Sequence, residues 1–159
     1  MRRFTLKTEY KKILADTITP VSVYLKVRDE YPHSLLLESS DYHANNNNFS
    51  YICCNPLASI EMKKDKLTTN LPDGSSRLEN VDKKMDIPKR IHEFSKQFDS
   101  EQLQFKFISN GIFGYIGHEA VDRFENLEID KSKPGQDIPD IYYAVYQNII
   151  AISLFNHEA

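Results

Sequence analysis

The stretch Leu35-Leu36-Leu37-Glu38-Ser39-Ser40 decides how the rest of the chain is interpreted. Three consecutive leucines have neither the 3.6-residue rhythm of an amphipathic helix nor the two-residue rhythm of a half-exposed strand. They therefore predict a short strand that is buried on both faces. The carboxylate and the hydroxyls that follow can bind a small cationic group, such as the ammonium of an amino acid. The alternative interpretation is a strand that ends in a solvated turn.

Length and composition bound the class of protein. The chain has 159 residues, which is enough for one sizeable core. It has 20 basic and 23 acidic residues, and this slightly negative balance gives no sign of a nucleic-acid-binding protein. Its apolar runs are shorter than the roughly 18–20 residues that cross a bilayer. No apolar segment follows Met1-Arg2-Arg3-Phe4, so neither a membrane partner nor a secretory signal is expected. The pair Cys53-Cys54 predicts buried thiols of a cytoplasmic protein and not a disulfide.

Helix signals occur at three places and predict an α+β fold. Thr19-Pro20 places a hydroxyl N-cap before a proline at the first helical position. The first predicted helix lies near 20–30, with Val21, Tyr24 and Leu25 on one face. The second lies near 88–98, where helical spacing relates Ile87, Ile91, Phe94 and Phe98. The third lies near 118–127, with Ala120, Val121 and Phe124 inward. One or two helical turns are allowed in 1–18, while 41–48 is expected to be a loop and 75–86 a polar connection.

Strand signals predict a mainly antiparallel sheet built from 34–71 and 105–155, with the helices packed on it. Separate strands are expected at 49–54, 58–63 and 66–71, joined as a meander. The glycines at 111, 114 and 117 lack the Lys-Ser/Thr ending of a phosphate-binding loop. The aromatic residues between them favour a strand whose backbone closely approaches a neighbour.

No catalytic constellation is visible in the sequence. The five histidines show no mutual ligand spacing, and the cysteines lack a Cys-x-x-Cys partner, so no metal site is predicted in this segment. A Gly-x-Ser-x-Gly nucleophile elbow is also missing.

An ordered set of motifs nevertheless resembles a known family. The motifs are Thr19-Pro20-Val21, Leu36-Leu37-Glu38-Ser39, Phe49-Ser50-Tyr51-Ile52 with Asn55-Pro56, the glycine stretch Gly111 to Glu119 with Arg123-Phe124-Glu125, and Asp137-Ile138-Pro139-Asp140. Their order and spacing, from about Tyr10 to the last residue, resemble the N-terminal region of anthranilate synthase component I. That large subunit is a lyase of tryptophan biosynthesis, an amino-acid biosynthesis pathway, and converts chorismate to anthranilate and pyruvate.

The resemblance implies that regulation and catalysis belong to different regions of the large subunit. It identifies residues 1–159 as the regulatory N-terminal third of a protein with a two-domain α/β sandwich. The catalytic residues, the chorismate site and the magnesium site would then belong to a C-terminal domain beyond this chain, and this segment alone would be inactive. The end of the chain at Asn156-His157-Glu158-Ala159 carries no terminating signal, as expected of a truncated protein.

The resemblance also implies an inhibitory tryptophan site. In the family, polar groups of the Leu-Leu-Glu-Ser motif hold the inhibitory amino acid. The corresponding residues here are Leu37, Glu38 and Ser39, and the resemblance adds Pro20 and Ser50 to the site. One departure is Asn48, where the family commonly has Arg or Lys. If that base meets the carboxylate of the ligand, its loss would weaken feedback inhibition. A second departure, Gly117-His118-Glu119 in place of Ser-Tyr-Asp, is interpreted as a packing difference.

The implied partner is a glutamine amidotransferase subunit, component II, which supplies ammonia. Loss of the second domain would leave an apolar face uncovered, so the fragment is expected to self-associate. Two alternatives stay open. The first is the related aminodeoxychorismate synthase component I of folate biosynthesis, which more often has Asp at the place of Glu38. The second is an amino-acid-binding regulatory module without enzymatic activity.

Overall fold

The computed structural model describes residues 2–39, 48–82, 84–101, 103–125, 137–153 and 155–159. The elements in chain order are β1 (Phe4–Leu6), α1 (Pro20–Val27), β2 (Leu35–Leu37), β3 (Phe49–Lys63), β4 (Lys66–Asn70), β5 (Ser76–Asn80), α2 (Ile87–Ser95), β6 (Phe98–Ser100), β7 (Phe113–Ile116), a 3-10 helix (His118–Arg123) and β8 (Ile141–Ser153). Antiparallel pairing joins β2 to β3, β3 to β4, β4 to β5 and β7 to β8. The predicted α+β fold with a mainly antiparallel sheet is confirmed. Within the described ranges, no helix is long and apolar enough to cross a membrane.

The chain forms two compact units. The first unit comprises Met1–Thr5, Leu57–Asp99 and Ile112–Val145, and the second comprises Leu6–Pro56, Ser100–Gly111 and Tyr146–Ala159. The two longest strands, β3 and β8, each contribute residues to both units. Each unit therefore contains part of the same two strands together with its own helix.

The first unit is built on strands in the order β5-β4-β3-β8-β7, covered by α2. The helix begins after the N-cap Asp86, whose carboxylate accepts a hydrogen bond from the Lys89 amide. Ile87 and Phe94 are buried, as the amphipathic pattern predicts. The helix ends at Ser95, earlier than predicted, and Phe98 lies in β6. There its ring stacks on Phe4, with 5.7 Å between the ring centroids.

The connection from β3 to β4 is a tight turn in which Lys64 has a positive φ of 57°. The Lys64 amide donates a hydrogen bond to Oδ2 of Asp140, with 2.9 Å between the atoms. After β4 the chain turns back and forms β5 over Ser76–Asn80. The prediction of a polar connection at 75–86 is wrong there, because this edge strand pairs through its backbone while most of its side chains are exposed.

The glycine stretch enters β7 and not a phosphate-binding loop. Phe113–Ile116 pairs with β8, and a Cβ at Gly114 would overlap the main-chain carbonyl oxygen of Tyr142. The predicted strand with a close backbone approach is confirmed. At Gly117, the amide donates to the Asp140 carbonyl oxygen at 2.7 Å, which agrees with the packing interpretation of this departure.

The helix predicted at 118–127 is a 3-10 helix over His118–Arg123. Its N-cap, Gly117, offers no side-chain hydrogen bond to the first amides, so a strong start signal for an α-helix is missing. Ala120 is buried as expected, whereas Val121 and Phe124 are only half-buried.

In the second unit, α1 begins as predicted. The Thr19 hydroxyl accepts a hydrogen bond from the Ser22 amide at 3.1 Å, and the Ser22 hydroxyl accepts one from the Thr19 amide, which forms a capping box. The helix ends at Val27, short of the predicted residue 30. Its buried side differs from the prediction, because Val21 and Leu25 are 46% and 48% exposed. The side chains that pack on the core of Ala15, Ile52 and Ile152 include Val23, Tyr24 and Val27.

Several further strand predictions are corrected. The strands expected at 49–54 and 58–63 are one strand, β3, which accommodates Asn55 with a positive φ of 61° and Pro56 without interruption. Residues 105–108 form no strand, and 2–18 form no helix. Part of that N-terminal stretch is instead β1, which pairs with β6. The asparagine loop lies outside the described residues, except for Asn48.

The two cysteines are buried in β3 with free thiols, as predicted. Burial raises the pKa of Cys53 to about 12, and the neighbouring Cys54 adds to that rise. Burial also raises the pKa of Cys54, against a smaller opposing effect of a hydrogen bond with Asn148. Both groups are therefore protonated, weakly nucleophilic thiols at neutral pH.

Candidate ligand site at the end of β2

The predicted site lies where β2 ends beside the beginning of β3, in the second unit. Leu35 pairs with Cys53, Leu36 with Ile52 and Leu37 with Tyr51. Extending this antiparallel register by one residue places Glu38 across from Ser50. The structure therefore brings two of the predicted ligand-binding residues, distant in sequence, to the ends of neighbouring strands.

The leucines of β2 are half-buried, and the prediction of a strand buried on both faces is wrong. The strand has three residues and lies off the main path of the sheet, paired with β3. An element this short at the side of a sheet is covered less completely than a central strand. Glu38 and Ser39 are correspondingly exposed, so the end of β2 is an open place and not a sealed core.

The alternation of side chains divides the site between two faces of the sheet. Ser50 lies two residues from Ile52 and so shares its face, which packs against α1. Leu37 faces the opposite side, together with Tyr51. Glu38 and Ser39 follow directly after the last residue of β2 and are exposed. A single ligand can contact both sets only at the strand end, where the two faces meet.

Two of the predicted residues are buried and the others are accessible. Ser50 is 5% exposed, and Pro20 is buried at the first position of α1. The helix packs through Tyr24 and Val27 on the same core as Leu36. The strand register aligns Glu38 with Ser50, whereas Pro20 belongs to a separate element, α1.

An aromatic row beside this site was not predicted from the sequence. Ring contacts run from Tyr10 to Phe105 (4.8 Å between centroids), from Phe105 to Phe107 (4.6 Å) and from Phe107 to Phe49 (5.7 Å). Phe49 in turn lies 6.5 Å from Tyr51, whose hydroxyl accepts a hydrogen bond from the Ile108 amide at 3.1 Å. Phe105 and Phe107 form a stacked pair in an irregular segment and not in the strand that the sequence predicts there.

In the part of the chain that the structure describes, no group of three or more His, Cys, Asp or Glu side chains could hold a metal ion. The polar groups at the end of β2 and the start of β3 are a carboxylate, Glu38, and two hydroxyls, Ser39 and Ser50, and they lie beside apolar residues. These groups suit the ammonium and the side chain of an amino acid.

Comparisons of this chain with known proteins find relatives named anthranilate synthase component 1. The chain is 28% identical over 150 residues to anthranilate synthase component 1 of Lactococcus lactis, covering 93% of this chain and 30% of that protein. It is 28% identical over 132 residues to the protein of that name from Synechocystis, covering 82% and 25%. A solved structure of anthranilate synthase component I from Streptococcus pneumoniae is 19% identical, with a TM-score of 0.45 and coverage of 94% and 30%. No protein-family model matches the chain.

The resemblance that the ordered motifs predict is confirmed by these curated relatives. The alignments cover most of this chain. The chain spans between a quarter and a third of the length of those proteins.

Proposed function

We propose that this chain, which is similar over most of its length to anthranilate synthase component 1, is the N-terminal regulatory region of such a large subunit. In this proposal it holds tryptophan as a feedback inhibitor. The catalytic residues, the chorismate site and the magnesium site lie in the remainder of the large subunit. The amidotransferase subunit that supplies ammonia is the proposed protein partner, and the cytoplasm is the proposed location.

The observation that carries the proposal is the antiparallel register of β2 and β3. This register is what joins the Leu-Leu-Glu-Ser motif to Ser50 at one strand end. A sequence resemblance alone would not require these two segments to be neighbours. Their proximity supports a common ligand for Glu38 and Ser50.

The proposed contacts follow from the chemistry of each side chain. The Glu38 carboxylate accepts hydrogen bonds from the ammonium of tryptophan, and charge makes these bonds stronger than neutral ones. The Ser39 and Ser50 hydroxyls supply further hydrogen bonds. The indole ring packs on apolar groups near Pro20, and Leu37 contacts the ligand at the strand end. Because Asn48 is neutral, it cannot form an ion pair with the carboxylate of the ligand, which reduces the affinity relative to a site with a base there.

The test is a tryptophan inhibition curve of the full-length large subunit with its amidotransferase partner, comparing Glu38→Gln and Ser39→Ala with the unmodified enzyme. Inhibition requires a difference in affinity between two states of the enzyme, and coupling of this kind is of order 1–3 kcal/mol. Loss of a hydrogen bond to a charged ligand group is of similar size. We expect either variant to raise the half-inhibitory tryptophan concentration by about tenfold or more.

The matched control is Glu30→Gln, which removes an exposed carboxylate of the same unit outside the proposed site. It is expected to leave the inhibition curve unchanged, and all three variants should retain their rate without tryptophan. Inhibition curves of Glu38→Gln and Ser39→Ala that overlay that of the unmodified enzyme would contradict the regulatory role. A full-length enzyme that forms aminodeoxychorismate and no anthranilate would contradict the proposed reaction.

A further inference from the structure

A groove with a volume of about 350 Å³ lies in the first unit, outside the site at β2. It is bounded by β3, β4 and β5 on one side and by α2 on the other. Volumes of this size are typical of small-molecule sites. None of its lining residues belongs to the motif that resembles the anthranilate synthase regulatory site.

The floor of the groove is apolar and fully packed. Ile60, Leu67 and Phe94 form its base, and each is only 2% exposed. The half-buried Leu71, which also lines the groove, offers accessible apolar surface. The strand register explains their arrangement: Ile60 pairs with Thr69, which pairs with Arg77, so these three side chains share one face of the sheet. The same face therefore changes from apolar on β3 to charged on the edge strand β5.

The rim carries charges of alternating sign. An ion pair joins Arg77 to Glu79, with 3.0 Å between Nη2 and Oε1. Arg90 of α2 bridges Glu79 and Glu93, and its distance to Glu93 is 3.3 Å. The Arg90 contacts tie α2 to β5. The Arg90 side chain is 32% exposed, and its role of holding α2 against β5 accounts for its contacts. That role does not depend on Arg77.

Arg77 is the group that can serve a ligand. Its side chain is 67% exposed, and its ion pair with Glu79 lies at the protein surface, where such pairs contribute little stability. Turning Arg77 toward a ligand carboxylate therefore costs little, since Glu79 keeps its contact with Arg90. A bidentate guanidinium–carboxylate contact is stronger than the pair that it replaces.

The balance of charges selects the class of ligand. Arg2 also lines the groove, but its charge is paired with Asp73. Of the remaining charged groups, Glu79 and Glu93 would repel a simple anion, and Arg77 and Arg90 would repel a simple cation. A molecule that carries both charges on one carbon satisfies both sets. We propose that the groove binds a free amino acid with an apolar side chain, its carboxylate on Arg77, its ammonium on Glu93 and its side chain against Leu71.

The test is a titration of the isotope-labelled 159-residue chain followed by NMR. The probes are L-leucine and L-phenylalanine, with acetate and 2-phenylethylamine as ligands that lack one of the two charges. We expect the amino acids to shift the amide signals of β4, β5 and α2, and the singly charged compounds to bind at least about tenfold more weakly. Absence of shifts at these elements, or equal shifts with acetate or phenylethylamine, would overturn the proposal.

Two variants separate the groove from other sites. Arg77→Ala removes the carboxylate partner at an exposed position, and Thr69→Phe fills the groove without a change of charge. Each should weaken binding about tenfold or more, while Arg28→Ala, which removes an exposed arginine of the second unit, should leave it unchanged. Binding that survives both groove variants, or shifts confined to residues near Glu38 and Ser50, would place the ligand elsewhere and overturn the inference. The outcome of the tryptophan inhibition experiment does not affect this test, because the two sites share no residues.

Discussion

The two units of the chain bury their cores to different degrees. Among the described residues, the largest fully buried side chains of the first unit are Met62, Leu67, Ile87, Phe94 and Ile141, and those of the second are Ile52, Cys53 and Ile152. Both units have one capped helix of similar length. The helix α2 buries Ile87 and Phe94, whereas α1 buries only Pro20. The second unit therefore has the smaller and more open core.

This difference in burial indicates where a responsive site can lie. Segments with few buried apolar contacts open at a lower free energy than the core of the same protein, and binding elements are drawn from that end of the range. The short, half-buried β2 with the exposed Glu38 fits this description. A ligand at such a place can shift a population of states, which a side chain locked in a dense core cannot do.

The largest effect should come from the buried aromatic residue of α2. We expect Phe94→Ala to lower the free energy of unfolding by about 3–5 kcal/mol, because it removes a fully buried ring and leaves a cavity. The matched change on α1, Tyr24→Ala, removes a half-buried ring and should cost about 1–2 kcal/mol. Urea denaturation of both variants gives the comparison. Equal losses would contradict the difference between the two cores.

The next effect concerns the close backbone approach at Gly114 in the first unit. Gly114→Ala places a Cβ against the carbonyl oxygen of Tyr142, so one strand must move away from the other. We expect a loss of about 3 kcal/mol, at the upper end of the usual cost of overpacking. Gly74→Ala is the control, because its φ of 80° is unfavourable for alanine while no atom lies within 4 Å of the added Cβ. Its expected cost is about 1 kcal/mol, and both values follow from the same urea series.

The smallest effect should be the same in both units. Thr19→Ala removes the capping hydroxyl of α1, and Asp86→Ala removes the capping carboxylate of α2. Each should cost about 1 kcal/mol, the typical value for an N-cap. Thermal unfolding of the two variants under the same conditions measures both losses of stability. A much larger cost for one cap would show that local helix signals, and not core packing, distinguish the units.

Local signals in the sequence predicted the parts of the fold that local chemistry determines. Thr19-Pro20 marked the start of α1, and the spacing of Ile87 and Phe94 marked the buried side of α2, because both depend on residues within one or two turns. The sheet partner of Gly114 is distant in sequence. Even so, the aromatic residues beside that glycine indicated a close approach.

The missed elements depend on long-range pairing. The polar strand β5 has no apolar alternation, since the side chains on its groove face, Arg77 and Glu79, are charged and form an ion pair. The continuity of β3 through Asn55 and Pro56 is supplied by its partner strands, against the local preference of those two residues. The motif at Glu38 was visible in the sequence, but its proximity to Ser50 follows only from the register.

The turn at Lys64 has a consequence for how this part of the molecule can change during evolution. Its bond to Asp140 is made by the main-chain amide, so every residue type except proline can supply the same donor. The side chain there can therefore vary among residue types that tolerate a positive φ, of which glycine and asparagine adopt it most readily, while the turn keeps its hydrogen bond to Asp140. The residue that should persist across homologues is the acceptor, Asp140, although the turn itself lies some seventy-six positions earlier.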